Sequence, residues 1–231
     1  MKKSLSLTLL VMAGLILFSI ASCGGSKADT AGMEKTQLAK MDYMDDYDDV
    51  YEEKAPKAAS FKPFPVYSDG RSPDNHYIPS GYMGDYSDIK TENSSFDDPH
   101  SGTTCIKVTY TNAASQGARW GGVYWQNPAN NWGDRKGGFD LTGATKLTFW
   151  ARGAVGEERI EEFRIGGLTG LYPDSDIAGI GPVLLTTEWK QYEIDLRGKD
   201  LSYISGGFCW STNLDVNPDG IVFYLDDIKY E

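Results

Sequence analysis

Several kinds of residue are scarce in this chain, and each scarcity removes a class of chemistry. Among 231 residues there are 3 cysteines and 2 histidines. That is too few for a disulfide-dense scaffold, and His76 and His100 lack the His-Glu-x-x-His spacing that holds catalytic zinc. Basic residues are outnumbered, 22 Lys and Arg against 33 Asp and Glu, for a net charge of -11. So acidic a chain offers no basic patch to nucleic-acid phosphates. Past Ile20 no apolar run approaches the ~20 residues needed to cross a bilayer. The sequence also holds no Gly-x-Ser-x-Gly elbow, no P-loop and no dinucleotide fingerprint. Glycosidases need only two carboxylates, which this chain has in plenty. Its clustered Glu157, Glu158, Glu161 and Glu162, however, lie in a segment that reads as a solvated turn.

What is abundant points elsewhere. Aromatic residues make up 13% of the chain and there are 26 glycines, a composition that fits an all-β body with many turns. The N-terminus reads differently. Lys2 and Lys3 precede an apolar run, Leu5–Ile20, and Ala21-Ser22-Cys23 follows at once. That order is a secretory signal. The Ile-Ala-Ser-Cys order resembles the lipobox of bacterial lipoproteins, which implies a lipidated Cys23 at the mature N-terminus. Gly24, rather than Asp, follows the Cys, which by the same resemblance implies an outer-membrane address. The expected localisation is the bacterial cell envelope, with membrane contact through the lipid alone.

The chain divides into residues 1–22 (signal peptide), 23–62 (lipidated Cys and disordered acidic linker) and 63–231 (a folded domain). Within the linker, Met41–Glu53 is a run of like charges with interspersed Tyr, unable to bury enough surface to order itself. From Pro63 the pattern changes to short apolar or aromatic segments between Gly, Pro, Asn and Asp clusters. Strands are expected at 105–110, 120–126, 146–152, 162–165, 190–196, 207–210 and 221–230, with one weak helix near 155–162. Period-two patterning over many short runs predicts a β-sandwich. Cys105 and Cys209 fall in strands, out of phase with their apolar neighbours, and leave either a disulfide or two free thiols open.

The order of these elements resembles the jelly-roll carbohydrate-binding modules of the galactose-binding-like class, families 4, 11 and 22 among them. The resemblance spans roughly Pro63 to Glu231. It rests on Pro-His-Ser-Gly-Thr-Thr-Cys-Ile-Lys-Val (99–108), Leu-Thr-Phe-Trp-Ala-Arg (147–152), Trp-Lys-Gln-Tyr (189–192) and Phe-Tyr-Leu-Asp-Asp-Ile (223–228). It implies a jelly-roll β-sandwich, and because one fold hosts many functions the ligand must be argued from residues.

A sugar presents an apolar C–H face to an aromatic ring and a rim of hydroxyls to amides, carboxylates and guanidinium groups. Trp120, Tyr124, Trp125 and Trp132 supply rings along one segment, with Asn131 and Asp134 beside them. Alternation puts Trp120, Tyr124 and Gln126 on one face and Val123 and Trp125 on the other, so not all of these rings can reach a ligand. Trp150 and Arg152 in one strand and Arg164 in another form a polar-aromatic floor if both strands share a sheet; Arg stacked on Trp is the structural alternative. Trp210 is a further candidate beside a turn. In the last strand Asp226 shares a face with Tyr224, Ile228 and Tyr230, and a carboxylate among apolar groups needs a partner. The resemblance implies a structural Ca²⁺ held there, with Asp69 as a second ligand; hydrogen bonds from backbone amides are the alternative.

The leading expectation is a non-catalytic, lipid-anchored protein that binds polysaccharide or another glycan. An envelope assembly protein with a protein partner is second, and a surface glycan-degrading enzyme third.

Overall fold

A computed structural model describes residues 61–231. The expected signal peptide, Cys23 and the acidic linker up to residue 60 lie outside the described residues. Thirteen strands follow in order: β1 Phe64–Tyr67, β2 Ile78–Gly84, β3 Ile89–Ser95, β4 Cys105–Tyr110, β5 Trp120–Gln126, β6 Lys146–Gly153 and β7 Arg159–Ile160. Then come β8 Glu162–Gly166, β9 Ile177–Ile180, β10 Val183–Leu184, β11 Lys190–Asp195, β12 Gly206–Asn213 and β13 Ile221–Tyr230. One sheet runs β11-β6-β13-β4-β3, with β1 also paired to β13, and the other runs β2-β5-β12-β8-β9. The pairings are antiparallel. This is the two-layer jelly-roll sandwich that the alternation predicts.

The core lies between the layers because each strand turns its apolar phase inward. Leu147, Phe149 and Ala151 of β6, Ile106 and Val108 of β4, and Phe223 and Leu225 of β13 meet Val123, Trp125, Phe163, Ile165, Phe208 and Trp210 of the second sheet. Rings join the two layers. Phe149 lies 4.7 Å from Phe163 and 5.2 Å from Phe208, and Trp210 meets Phe223 edge-on at 5.0 Å. Each large side chain removed from water here contributes roughly 1.5–3 kcal/mol.

Two local expectations are corrected. No helix forms near 155–162; β7 and β8 occupy its second half, and Gly156 (φ 84°) and Glu157 (φ 70°) take left-handed conformations that a right-handed helix cannot contain. The second correction concerns β13. A bulge between Asp226 and Lys229, with Asp227 at φ 48°, shifts the phase of the strand. Phe223 and Leu225 point inward before the bulge, and Ile228 and Tyr230 point inward after it. Tyr224 and Asp226 therefore face away from the core.

Candidate functional site

The outward face of the five-stranded sheet is flanked by two exposed indoles, Trp120 and Trp132. Cross-strand register lines up Met83, Gly122, Ser211 and Glu162, and in the next row Gly81, Tyr124, Cys209, Arg164 and Gly179. Most are small, so the floor is low. Along β5, Trp120 precedes Gly122 by two residues, and Trp132 meets Tyr124 edge-on at 6.1 Å on the other side. Trp120 and Trp132 are 40% and 42% exposed. At ~3.3 Å per residue, the four steps from Trp120 to Tyr124 place the two ends of the floor roughly 13 Å apart.

Polar groups border this floor. The Arg164 guanidinium lies 5.0 Å from the centre of the Tyr124 ring, and its Nη1 pairs with Glu162 Oε2 at 3.2 Å. Tyr124 is buried, donates its hydroxyl to the Gly166 carbonyl at 3.0 Å, and has its phenol pushed up by burial. It supports the site from below. A cavity of about 560 Å³ opens at the β2 edge beside Trp132, Asn130, Ser80 and Tyr86, and one of about 290 Å³ opens at the far side along Glu162 and Gly179.

Asn131 is not a ligand contact; it is fully buried. Its Nδ2 donates to the Arg135 carbonyl at 3.0 Å, and its Oδ1 accepts from Gly133 N at 3.1 Å. Gln126 Nε2 donates in turn to the Asn131 carbonyl at 2.9 Å. These bonds hold the loop that presents Trp132, a positioning role. Asp134 is exposed two residues beyond Trp132 in the same loop. Trp125 and Trp210 are sealed in the core at 1% and 0% exposure. They occupy the inward phase of β5 and β12, and neither can touch a ligand.

The expected floor of Trp150, Arg152 and Arg164 does not form, because β6 and β8 belong to different sheets. Trp150 and Arg152 lie on the outward side of the six-stranded sheet, under the segment between β3 and β4. His100 stacks on Trp150 at 3.7 Å. The Arg152 guanidinium sits 3.9 Å from the Tyr224 ring centre and 5.2 Å from that of Trp189, and donates to the Asp97 carbonyl at 2.8 Å. Lys107 pairs with Asp97 at 2.6 Å and holds its carboxyl below the usual range. Trp189 Nε1 donates to the Asp98 carbonyl at 2.9 Å. These rings serve the protein itself.

The residues expected to hold Ca²⁺ do not fit a cation. Asp226 Oδ2 accepts from His100 N at 3.0 Å and Ser101 N at 3.2 Å, and its Oδ1 from Asp227 N at 2.9 Å. Burial pushes its carboxyl up to about 6. Asp69 Oδ1 accepts from Gly70 N and the Thr104 hydroxyl, and Oδ2 from Thr103 N and its hydroxyl. Donors point at both carboxylates where an ion needs oxygen ligands. Among the described residues no group of three or more His, Cys, Asp or Glu is arranged to hold a metal. Cys105 and Cys209 are free thiols, one on the outward side of each sheet with the core between them.

Met83, Ser211 and Glu162 are absent from the sequence expectations for the floor. Only strand pairing brings them beside Gly122, and an isolated Ser or Gly in a strand signals nothing by itself.

No family model matches the sequence, and no curated protein sequence matches it. Solved structures do resemble the fold. A family 30 carbohydrate-binding module superposes with a TM-score of 0.51 at 17% identity, covering 74% of this chain and 98% of that one. The family 30 carbohydrate-binding module of a cellulosomal cellulase of Clostridium thermocellum gives 0.50 at 16% identity, covering 74% and 97%. The fold is thus the jelly-roll sandwich found in those modules.

Proposed function

We propose that this protein is a non-catalytic carbohydrate-binding lipoprotein of the bacterial cell envelope, tethered through Cys23 to the outer membrane. Its folded domain grips polysaccharide or glycan on the outward face of the five-stranded sheet. The observation that carries this reading is the pair of half-exposed indoles, Trp120 and Trp132, at either end of a low floor bordered by Glu162 and Arg164. Indoles stack on the C–H faces of sugar rings, and the ion pair supplies donors and acceptors to hydroxyls. The likeness in fold to carbohydrate-binding modules supports the same reading.

Affinity electrophoresis through gels containing soluble polysaccharides tests it. Retardation by at least one glycan, without release of reducing ends, is the expected result, and Trp132→Ala should abolish most of it. Failure to be retarded by any glycan, with a single envelope protein recovered instead, would overturn the proposal in favour of an assembly role. Labelling with radioactive palmitate that disappears in Cys23→Ser tests the tether.

A further inference from the structure

A second cavity, of about 570 Å³, lies apart from the five-stranded sheet, where the turn after β1 meets the end of β3 and the approach to β4. Its walls include Asp69, Arg71, Ser94, Phe96 and Thr103. A count of donors and acceptors says what it lacks. Asp69 has its oxygens filled by four donors from Gly70, Thr103 and Thr104. The Thr103 hydroxyl has committed its proton to Asp69 and keeps only lone pairs to offer. Arg71, by contrast, makes no ion pair among the described residues, although eleven others do form there. The Ser94 hydroxyl is likewise uncommitted to any protein partner, and Phe96 leaves 77% of its surface in water.

The missing complement is a molecule with an anionic group for the guanidinium, an acceptor for Ser94, a hydroxyl for Thr103 and an apolar face for the ring. We infer that this cavity is a second glycan site, selective for an acidic sugar whose carboxylate or sulfate pairs with Arg71 while its ring stacks on Phe96. Guanidinium matches both anions in bidentate geometry. The net charge of -11 opposes an acidic ligand at long range, but screening at physiological salt confines that repulsion to ~8 Å. The local guanidinium then decides. Asp69 makes no ion pair with Arg71 among the described residues, and four donors already face its carboxylate. Held down to about 2, the Thr104 hydroxyl foremost, it keeps its negative charge and lessens the acidic preference without abolishing it.

The test is calorimetric titration of the full chain with four probes of equal length: a galacturonate oligosaccharide, a sulfated galactan oligosaccharide, a neutral galactan oligosaccharide and an oligoglutamate peptide. At least one acidic sugar probe should bind about ten-fold tighter than the neutral one at physiological salt, and lose that advantage in Arg71→Ala. Whichever probe Arg71→Ala weakens identifies carboxylate or sulfate as the recognised group. Phe96→Ala should weaken the same probe several-fold. Both side chains are exposed, so melting temperatures should stay unchanged and separate binding from folding. Trp132→Ala should weaken neutral-glycan binding several-fold and leave the Arg71-dependent acidic preference, so the groove and this cavity can fail independently. No acidic preference, a preference that survives Arg71→Ala, or equal binding of an oligoglutamate peptide would overturn the inference.

Discussion

The two outward faces of the sandwich are built from similar residues and put them to opposite uses. On the six-stranded sheet, Trp150, Trp189, Tyr224, Arg152 and Lys107 are stacked, paired or hydrogen-bonded to His100, Asp97 and Asp98 of the segment that crosses them. On the five-stranded sheet the strands contribute Gly122, Ser211 and Gly179 where the other face has rings, and the indoles stand at the rim, in water. Two neighbouring positions make much of the difference. Asp226 and Asp227 at the β13 bulge accept bonds from His100 N, the His100 ring and the Ser101 hydroxyl, fastening the covering segment down. Among the described residues no equivalent segment is fastened over Gly122. A ring held between protein groups on both faces adds stability, and a ring with one face in water is available to a ligand.

The largest expected effect breaks this contrast from the open side. Trp120→Ala with Trp132→Ala should weaken glycan binding on the order of 10- to 100-fold, from roughly 0.5–1.5 kcal/mol of stacking per ring. The melting temperature should move by less than a few degrees, and a fall large enough to unfold the domain would show these rings to be structural. The mirror experiment is Trp150→Ala. It should destabilise the domain by roughly 2 kcal/mol, through loss of packing against His100 and its neighbours, while the dissociation constant for the glycan stays as it was. Loss of binding in Trp150→Ala with the fold intact would mean that the ligand sits on the wrong sheet.

Much of the sandwich is legible in the sequence, because period two survives wherever one face of a strand is buried. Leu147, Phe149 and Ala151, or Phe163 and Ile165, state their own orientation. The candidate site is less legible, for two physical reasons. First, alternation identifies which residues share a face but not which sheet owns it; Trp150 and Arg164 are alike in sequence and end on opposite sides of the molecule. Second, a bulge leaves no mark in composition. Asp226 reads as sharing a face with Ile228, and only the left-handed backbone at Asp227 separates them. Trp125 is the instructive middle case: Val123 beside it in phase already argues for the interior, and there it lies.

A smaller effect should appear in the pH dependence of stability. Burial pushes Asp226 up to about 6 from an ordinary 3.8. The folded chain therefore keeps a proton on this carboxyl over a range in which the unfolded chain has released it. The contribution of Asp226 is complete below about pH 3.8 and is lost as pH rises through about 6. Asp69 acts in the opposite sense, but only as pH falls from its ordinary 3.8 towards about 2. Between pH 4 and 7 the difference in melting temperature between the parent protein and Asp226→Asn isolates the first group. That difference should grow in the parent's favour by a few degrees as pH falls from 7 to 4. A flat difference would mean that the carboxyl titrates at its ordinary value in the folded chain.

The smallest effect concerns the two thiols, and it probes how firmly each face is closed. Cys105 lies under the fastened segment with its sulfur 3.7 Å from the Asp97 carbonyl, and burial pushes its thiol up to about 11. Cys209 lies in the floor of the open face, beneath Tyr124 and Leu168, and burial pushes it up to about 12. Neither is a thiolate at neutral pH, so a maleimide should label neither in the native protein and both in denaturant. Arg152 donates to the same Asp97 carbonyl that covers Cys105. Arg152→Ala should therefore speed labelling of Cys105 several-fold and leave Cys209 protected. Trp132→Ala should change neither, because Cys209 is shielded by side chains of the sheet and its adjoining loop instead of by a removable cover. Faster labelling of Cys209 than of Cys105 in the parent protein would reverse the contrast, making the floor beneath the proposed ligand the looser of the two faces.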